Sequence, residues 1–309
     1  MNSFYQFLLS FGIVVAVTFG SLSLPIKTAT ANPDIISAKK SFKLGIVNAQ
    51  NQNYEQAVKD FTEAIKLDAN FVAAYSNRCL VYLQSEKYSK AIADCTQALE
   101  INSENIEAKL NLGLAYYKIG NYQQAITEYT QMLNHNPTDI RALYNRGLAS
   151  FELQNYQAAI ADYNIALANI PQNANLSGVD IYNDRGLAYL MLEDMHRAMA
   201  DFSHAISIDA NNSRAYYNRG CVCRQMGNIQ GAMRDFSKTL QLNPHEAQAY
   251  LGRGLLHHHQ GLHQAAIQDL QAASECFCDG GNMAAYHHTQ TLIEGIQKWL
   301  ELSNESLIG

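Results

Sequence analysis

The sequence predicts an all-α fold, a stack of antiparallel helix pairs closed by one further helix near the C-terminus. Three observations carry this. One 34-residue pattern can be laid end to end from residue 38 to about residue 280. Every copy holds two stretches with apolar residues at helical spacing, separated by a short turn. Small residues return at fixed offsets in copy after copy, where paired helices have to come close.

The copy at 140–173 sets the ruler. Leu143, Gly147, Ser150 and Leu153 recur at helical spacing, Gln154 and Asn155 give a turn, and Ala159, Tyr163 and Ala166 form a second set before Pro171. Proline ends the second helix because it lacks an N–H and clashes with the preceding turn. One pair of this size cannot bury its own apolar face, but stacked copies share a continuous core.

The copies fall at 38–71, 72–105, 106–139, 140–173, 179–212, 213–246 and 247–280, with five residues, 174–178, inserted after the fourth. Counting Gly147 as position 8, that position reads Gly45, Cys79, Gly113, Gly147, Gly186, Gly220 and Gly254. Position 20 is Ala57, Ala91, Ala125, Ala159, Ala198, Ala232 and Ala266, an agreement that no arbitrary register produces. A bulky residue stands at position 24 in Phe61, Tyr129, Tyr163, Phe202, Phe236 and Leu270, with Cys95 in the second copy. Beyond 280, ECFCDGGN having broken the pattern, Leu292, Ile293, Ile296, Trp299 and Leu300 make one apolar helical face. Gln290, Glu294, Lys298 and Glu301 lie on the other, so 281–303 is expected to cap the last copy with its polar side to water.

Gly at position 8, Ala at 20, an aromatic ring at 24, Ala at 27 and Pro at 32 resemble the tetratricopeptide repeat. The resemblance implies a right-handed α-solenoid, a superhelix in which positions 2, 5, 6, 9, 12 and 13 of each first helix line the inner surface. On this face the partner-binding candidates are Asn77, Asn111, Asn145 and Asn218 at position 6, with Leu114, Leu148 and Leu187 at position 9 and Tyr117, Tyr144, Phe151 and Tyr217 at positions 5 and 12. Apolar surface edged by rings suits a peptide or a helix. An asparagine amide donates and accepts at once, so it can grip a peptide unit whatever its side chain. The row is similar to the asparagine ladder of O-linked N-acetylglucosamine transferases; the competing reading is that the amides bond within their own repeats, and that some leucines only pack against a neighbouring copy.

Position 7 is Arg78, Arg146, Arg185, Arg219 and Arg253, and position 23 is acidic throughout, with Asp162, Asp201 and Asp235 among its members. An internal arginine–carboxylate ladder tying helix to helix is expected. The second copy is also similar to units of heat-shock cochaperones that clamp a C-terminal carboxylate. That clamp needs Lys and Asn where this chain has Phe42 and Ile46, and Lys and Arg where it has Glu107 and Asn111, so the activity is set aside.

With 48% hydrophobic and 16% charged residues and a net charge of -6, the chain is not basic enough for nucleic acid. His257, His258, His259 and His263 cluster in sequence, but adjacent histidines diverge on a helix and no three converge. No phosphate loop, nucleophile elbow or paired carboxylates in a cleft are present, so neither an enzyme nor a cofactor is expected.

Residues 1–31 carry only Lys27 as a charge and end in Ala29, Thr30 and Ala31, which fits a secretory signal cleaved after Ala31 and an exported protein. Against this, no basic residue precedes the apolar run and residues 7–24 are long enough to span a bilayer, so the alternative is an uncleaved membrane anchor with cytoplasmic repeats. Cys79 and Cys95 face one core, where an exported protein allows a disulfide and buried thiols are the alternative. The function expected is a non-catalytic scaffold that binds a peptide segment or helix of another protein, in the assembly of a membrane-associated complex. The alternative is a module that oligomerises through its repeats.

Overall fold

The structure, a computed structural model, describes residues 33–171 and 178–308; the leader at 1–31 and all of the insertion except Gly178 lie outside them. Fifteen helices and no strand are present among the described residues. They form two compact units divided after Asn169.

Unit 1 holds four helix pairs: α1 (Pro33–Gln50) with α2 (Tyr54–Leu67), α3 (Val72–Gln84) with α4 (Tyr88–Ile101), α5 (Ile106–Lys118) with α6 (Tyr122–His135), and α7 (Ile140–Glu152) with α8 (Tyr156–Ala168). Unit 2 holds α9 (Val179–Met191) with α10 (Met195–Ile208), α11 (Ser213–Gln225) with α12 (Ile229–Leu242), α13 (Ala247–His259) with α14 (His263–Asp279), and α15 (Met283–Ile308). Within each unit every helix packs on the next, and successive first helices also touch, as α5 does α7 and α9 does α11.

The core follows from steric fit. Ala57, Ala91, Ala125, Ala159, Ala198, Ala232 and Ala266 are fully buried, as are the rings of Phe61, Tyr129, Tyr163 and Phe202. Position 8 is glycine because the ring at position 24 occupies the place of a side chain. A Cβ on Gly147 would sit 2.5 Å from Tyr163, and one on Gly113 2.6 Å from Tyr129. In the second copy a covalent bond takes that space: Cys79 and Cys95 form a disulfide with Cα atoms 5.5 Å apart. Cys221, Cys223, Cys276 and Cys278 are free thiols.

Turns between paired helices use a left-handed residue at one fixed place. Gly120, Gly227 and Gly261 adopt it with φ of 75–78°, but Gln52, Glu86, Gln154 and Glu193 adopt it with φ of 59–61°. A Cβ in this region costs about 1 kcal/mol, so four turns carry strain that glycine would relieve.

The C-terminal helix differs from expectation at two residues. Trp299 is 51% exposed rather than on the buried face, because it lies at the edge of the stripe formed by Ile293 and Ile296, and its ring rests on His263 at 4.6 Å. Gln290, assigned to the watered side, donates from Nε2 to Ser274 Oγ at 2.8 Å. The helix also runs past 303 to Ile308, and α14 continues through Glu275–Cys278 without a break.

Candidate partner-binding face

The first helix of each pair places its functional side chains through capping and register. Asn105, Asp139 and Asn212 accept backbone N–H groups at the starts of α5, α7 and α11, satisfying donors that the first turn leaves free. From these starts, position 6 falls one turn beyond position 2 on the same helix face.

Asn111, Asn145 and Asn218 are buried, at 7–8% exposure, yet their side chains make no hydrogen bond with the rest of the chain. For Asn218 the Nδ2 donor is also shut off from solvent. Asn77 is different: its Nδ2 donates to Ala73 O at 2.8 Å within its own helix. Three of the four amides are therefore free of intramolecular bonds and one is engaged locally.

The apolar members divide similarly. Leu114, Leu187, Phe151, Tyr117 and Tyr217 are partly exposed, whereas Tyr144 and Leu148 are buried. Tyr144 leans on Tyr163 and Tyr217 on Phe236, each with ring centroids 6.0 Å apart, so position 5 also belongs to the core. Position 12 packs on the start of the second helix, Tyr117 on Tyr122 and Phe151 on Tyr156. The Tyr117 hydroxyl donates to Glu152 Oε1 at 3.2 Å, tying α5 to the end of α7. Burial pushes the Tyr217 phenol well above its ordinary range, with the Cys221 thiol adding to the effect.

The arginines at position 7 form two parallel bonds to the carboxylate at position 23. Arg146 Nε and Nη2 reach Asp162 at 2.9 and 2.7 Å, Arg185 reaches Asp201 at 2.8 and 2.6 Å, and Arg219 reaches Asp235 at 2.8 and 2.8 Å. Arg78 does the same with Asp94 and Arg253 with Asp269. The Asp162 hydrogen bond raises the Arg146 pKa further, against the opposing effect of burial. A third bond was not anticipated from the sequence: Nη1 donates backwards to a hydroxyl of the preceding copy, Arg78 to Thr62, Arg146 to Thr130, Arg219 to Ser203 and Arg253 to Ser237. A hydroxyl sixteen residues before each of these arginines is the signal that could have found it. Copies without the arginine use other means. Asn48 and Gln56 donate to Asp60 at 2.7 and 2.9 Å, whereas the copy of Glu128 has Leu112 at position 7, and burial raises the Glu128 pKa against the opposing charge of Lys109.

Charges at position 2 were also missed. Arg141 reaches Glu107 at 2.9 Å across α7 and α5. Its counterpart Arg214 pairs with Asp184 and stands 3.9 Å from Asp180. Burial, and then the neighbouring Asp184 charge, raise the Asp180 carboxyl to about 6.

The histidines do not assemble as a ligand set. His258 Nδ1 lies 3.0 Å from His263 Nδ1, and His257 Nδ1 is 3.0 Å from Asp269 Oδ2 without the alignment of a hydrogen bond. Among the described residues no group of three or more His, Cys, Asp and Glu is placed to hold a metal ion. No helix of the described residues is long and apolar enough to cross a membrane.

Profiles of the tetratricopeptide repeat match residues 41–71, 72–105, 110–174, 179–212 and 213–246, together more than half of the chain. The chain belongs to the tetratricopeptide repeat family. Proteins of this family are generally protein-interaction scaffolds and typically non-catalytic. No curated protein matches the sequence. Solved structures with the tetratricopeptide repeat fold that are similar to it include a tetratricopeptide repeat protein from Parabacteroides merdae, 21% identical, covering 82% of this chain and 99% of that one with a TM-score of 0.65. PilW, a type IV pilus biogenesis factor, is 20% identical over 69% of this chain and 96% of its own, with a TM-score of 0.61. The Cut9–Hcn1 hetero-tetramer is 18% identical over 73% of this chain and 44% of the matched one, with a TM-score of 0.60. At these identities the likeness is one of fold.

Proposed function

We propose that the chain is a non-catalytic scaffold whose first-helix face holds an extended peptide segment of another protein. One observation carries this reading: Asn111, Asn145 and Asn218 are buried amides with no hydrogen bond inside the chain. Only Asn218 Nδ2 is both unpaired and shut off from solvent; the Asn111 and Asn145 amides keep contact with water, which a peptide unit at this repeat position can replace without breaking a bond inside the chain. The peptide backbone supplies both an acceptor and a donor to each amide.

The test is selection of a phage-displayed random dodecapeptide library on the full chain. Peptides recovered by the wild type are expected to bind the Asn111→Ala, Asn145→Ala double variant about tenfold or more weakly, since each amide contributes on the order of 1 kcal/mol. The melting temperature should be unchanged, because neither side chain bonds to its own protein. Equal binding by the double variant sinks the reading.

Export is part of the proposal, with service in a membrane-associated assembly as its setting. The Cys79–Cys95 disulfide supports it, since such bonds persist in oxidising compartments. A mature chain beginning at Asn32 is the expected result from mass spectrometry. A chain beginning at Met1 favours the membrane anchor instead.

Self-association is a second reading with its own observation. Positions 3 and 10 are buried in the later copies, as in Ala142 and Ala149, but the first copy leaves Val47 52% exposed beside Leu44 at 49%. Light scattering that gives a monomer mass at high concentration removes it.

A further inference from the structure

The second copy is built differently at its centre. In each of the other six, glycine at position 8 faces a large side chain at position 24, and Phe61, Tyr129, Tyr163, Phe202, Phe236 and Leu270 are all 0–1% exposed. The second copy has neither member of that pair. Cys79 and Cys95 stand there instead, both fully buried, and their disulfide joins α3 to α4 across 16 residues of chain. Bonded sulfur atoms sit far inside their van der Waals contact distance, so two thiols do not fit in the space of one disulfide. Without the bond, the side chains or the helices must shift. Arg78 and Asp94, each next to one of the cysteines, remain as a noncovalent tie, so the copy loosens rather than comes apart.

The bond also lies at a junction. Val81 of α3 belongs to the core of the first copy, with Ala57 and Phe61. Cys79, Cys95 and Ala98 share a second core with Ala108, Leu112 and Ala115 of α5. Leu114, on the candidate face, packs against that second core, and Asn77 stands two residues before Cys79. In a stack of repeats each copy depends on its neighbours, so a loosened second copy uncouples the first from the third and disturbs the face across all three.

We propose that the second copy is a redox latch, which completes the peptide-binding face of unit 1 only when Cys79 and Cys95 are joined. The effect on binding rests on the scaffold reading above, and the effect on packing does not. Closure converts two thiols to one disulfide and gives up two protons and two electrons. A small disulfide of the oxidised glutathione type takes them up through a mixed disulfide and leaves as two thiols. Once closed, the bond is out of contact with solvent, and a thiol reductant reaches it only when the copy opens. The latch therefore sets during folding in an oxidising compartment and stays set.

The experiment is hydrogen–deuterium exchange on the full chain, refolded with either oxidised glutathione or dithiothreitol. In the reduced chain the amides of α3 and α4 are expected to exchange about a hundredfold faster, the factor that closing a loop of this length supplies. Those of α11 and α12 in unit 2 should not change. The double variant Cys79→Ser, Cys95→Ser should exchange as the reduced chain does under both conditions. The double variant Cys79→Gly, Cys95→Phe restores the pair that Gly45 and Phe61 form, so it should stay protected with either reagent, and it keeps the test decisive if the serine variant does not fold. Equal protection of α3 and α4 in oxidised and reduced wild type overturns the latch, as does a loss shared equally by unit 2. Binding is read with library peptides that the Asn111→Ala, Asn145→Ala variant holds weakly. Reduced wild type should bind them about tenfold more weakly, since apparent affinity falls with the fraction of chains whose face is formed. Equal binding by the reduced and oxidised chains overturns the gating of the face and leaves the scaffold reading standing. Failure of the oxidised chain to select any peptide overturns the scaffold reading, while exchange still decides the latch.

Discussion

Arg146→Ala is expected to lower the stability of unit 1 by about 2–3 kcal/mol, read as a fall in the urea midpoint. The substitution removes two bonds to Asp162 and one to Thr130, and strands a carboxylate on a residue only 5% exposed. Breaking a fully buried ion pair costs about 3–5 kcal/mol, and the lower figure here reflects the 24% exposure of the Arg146 side chain, which lets water reach the pair. Two further variants separate charge from contact. Arg146→Lys should recover part of the loss, since a point charge cannot make the parallel pair and the backward bond together. The double variant Arg146→Ala, Asp162→Ala should be less destabilised than Arg146→Ala alone, because no unpaired charge remains. An unchanged midpoint for Arg146→Ala with lost peptide binding would reassign the arginine to the ligand.

Gly147→Ala should destabilise by about 1–2 kcal/mol although alanine is the better helix former. Two opposed effects meet at this residue. Replacing a mid-helix glycine gains about 1 kcal/mol of helix propensity. The new Cβ would stand 2.5, 2.9 and 3.0 Å from three atoms of the Tyr163 ring, which is fully buried and cannot swing aside. Overpacking a tight core costs about 1–3 kcal/mol and wins. Gly295→Ala is the control. It is exposed in α15 with nothing within 4 Å of its added Cβ, so propensity acts alone and stability should rise by about 1 kcal/mol. Urea titration of both variants checks the sign of each change. A stabilised Gly147→Ala would mean that the ring at position 24 does not hold the place assigned to it.

The all-helical repeat fold was legible because its cause is local and repeated. A helix pair too small to shelter its apolar face must put small residues at the same contacts in every copy, and Ala159 or Gly147 carries that constraint in the sequence itself. The candidate face was legible only as a register. Position 6 could be named, but whether its amides were engaged depends on neighbours: Asn77 bonds back to Ala73, while Asn111, Asn145 and Asn218 do not. Tyr144 and Leu148 share the register of the face and are nevertheless buried. Trp299 shows the same gap at a stripe's edge, where a rotation of one residue decides between core and water.

What the sequence determined by itself is the period, the pairing of helices and the identity of the residues that let them approach, since these follow from covalent spacing and side-chain size. What only the tertiary structure decided is where the charges go. Arg214 had two carboxylates within its helix spacing and took Asp184, and each guanidinium of Arg78, Arg146, Arg219 and Arg253 reached back to a hydroxyl of the previous copy. A charge chooses its partner by distance and desolvation across helices that are far apart in the chain, and neither quantity exists until the helices are packed.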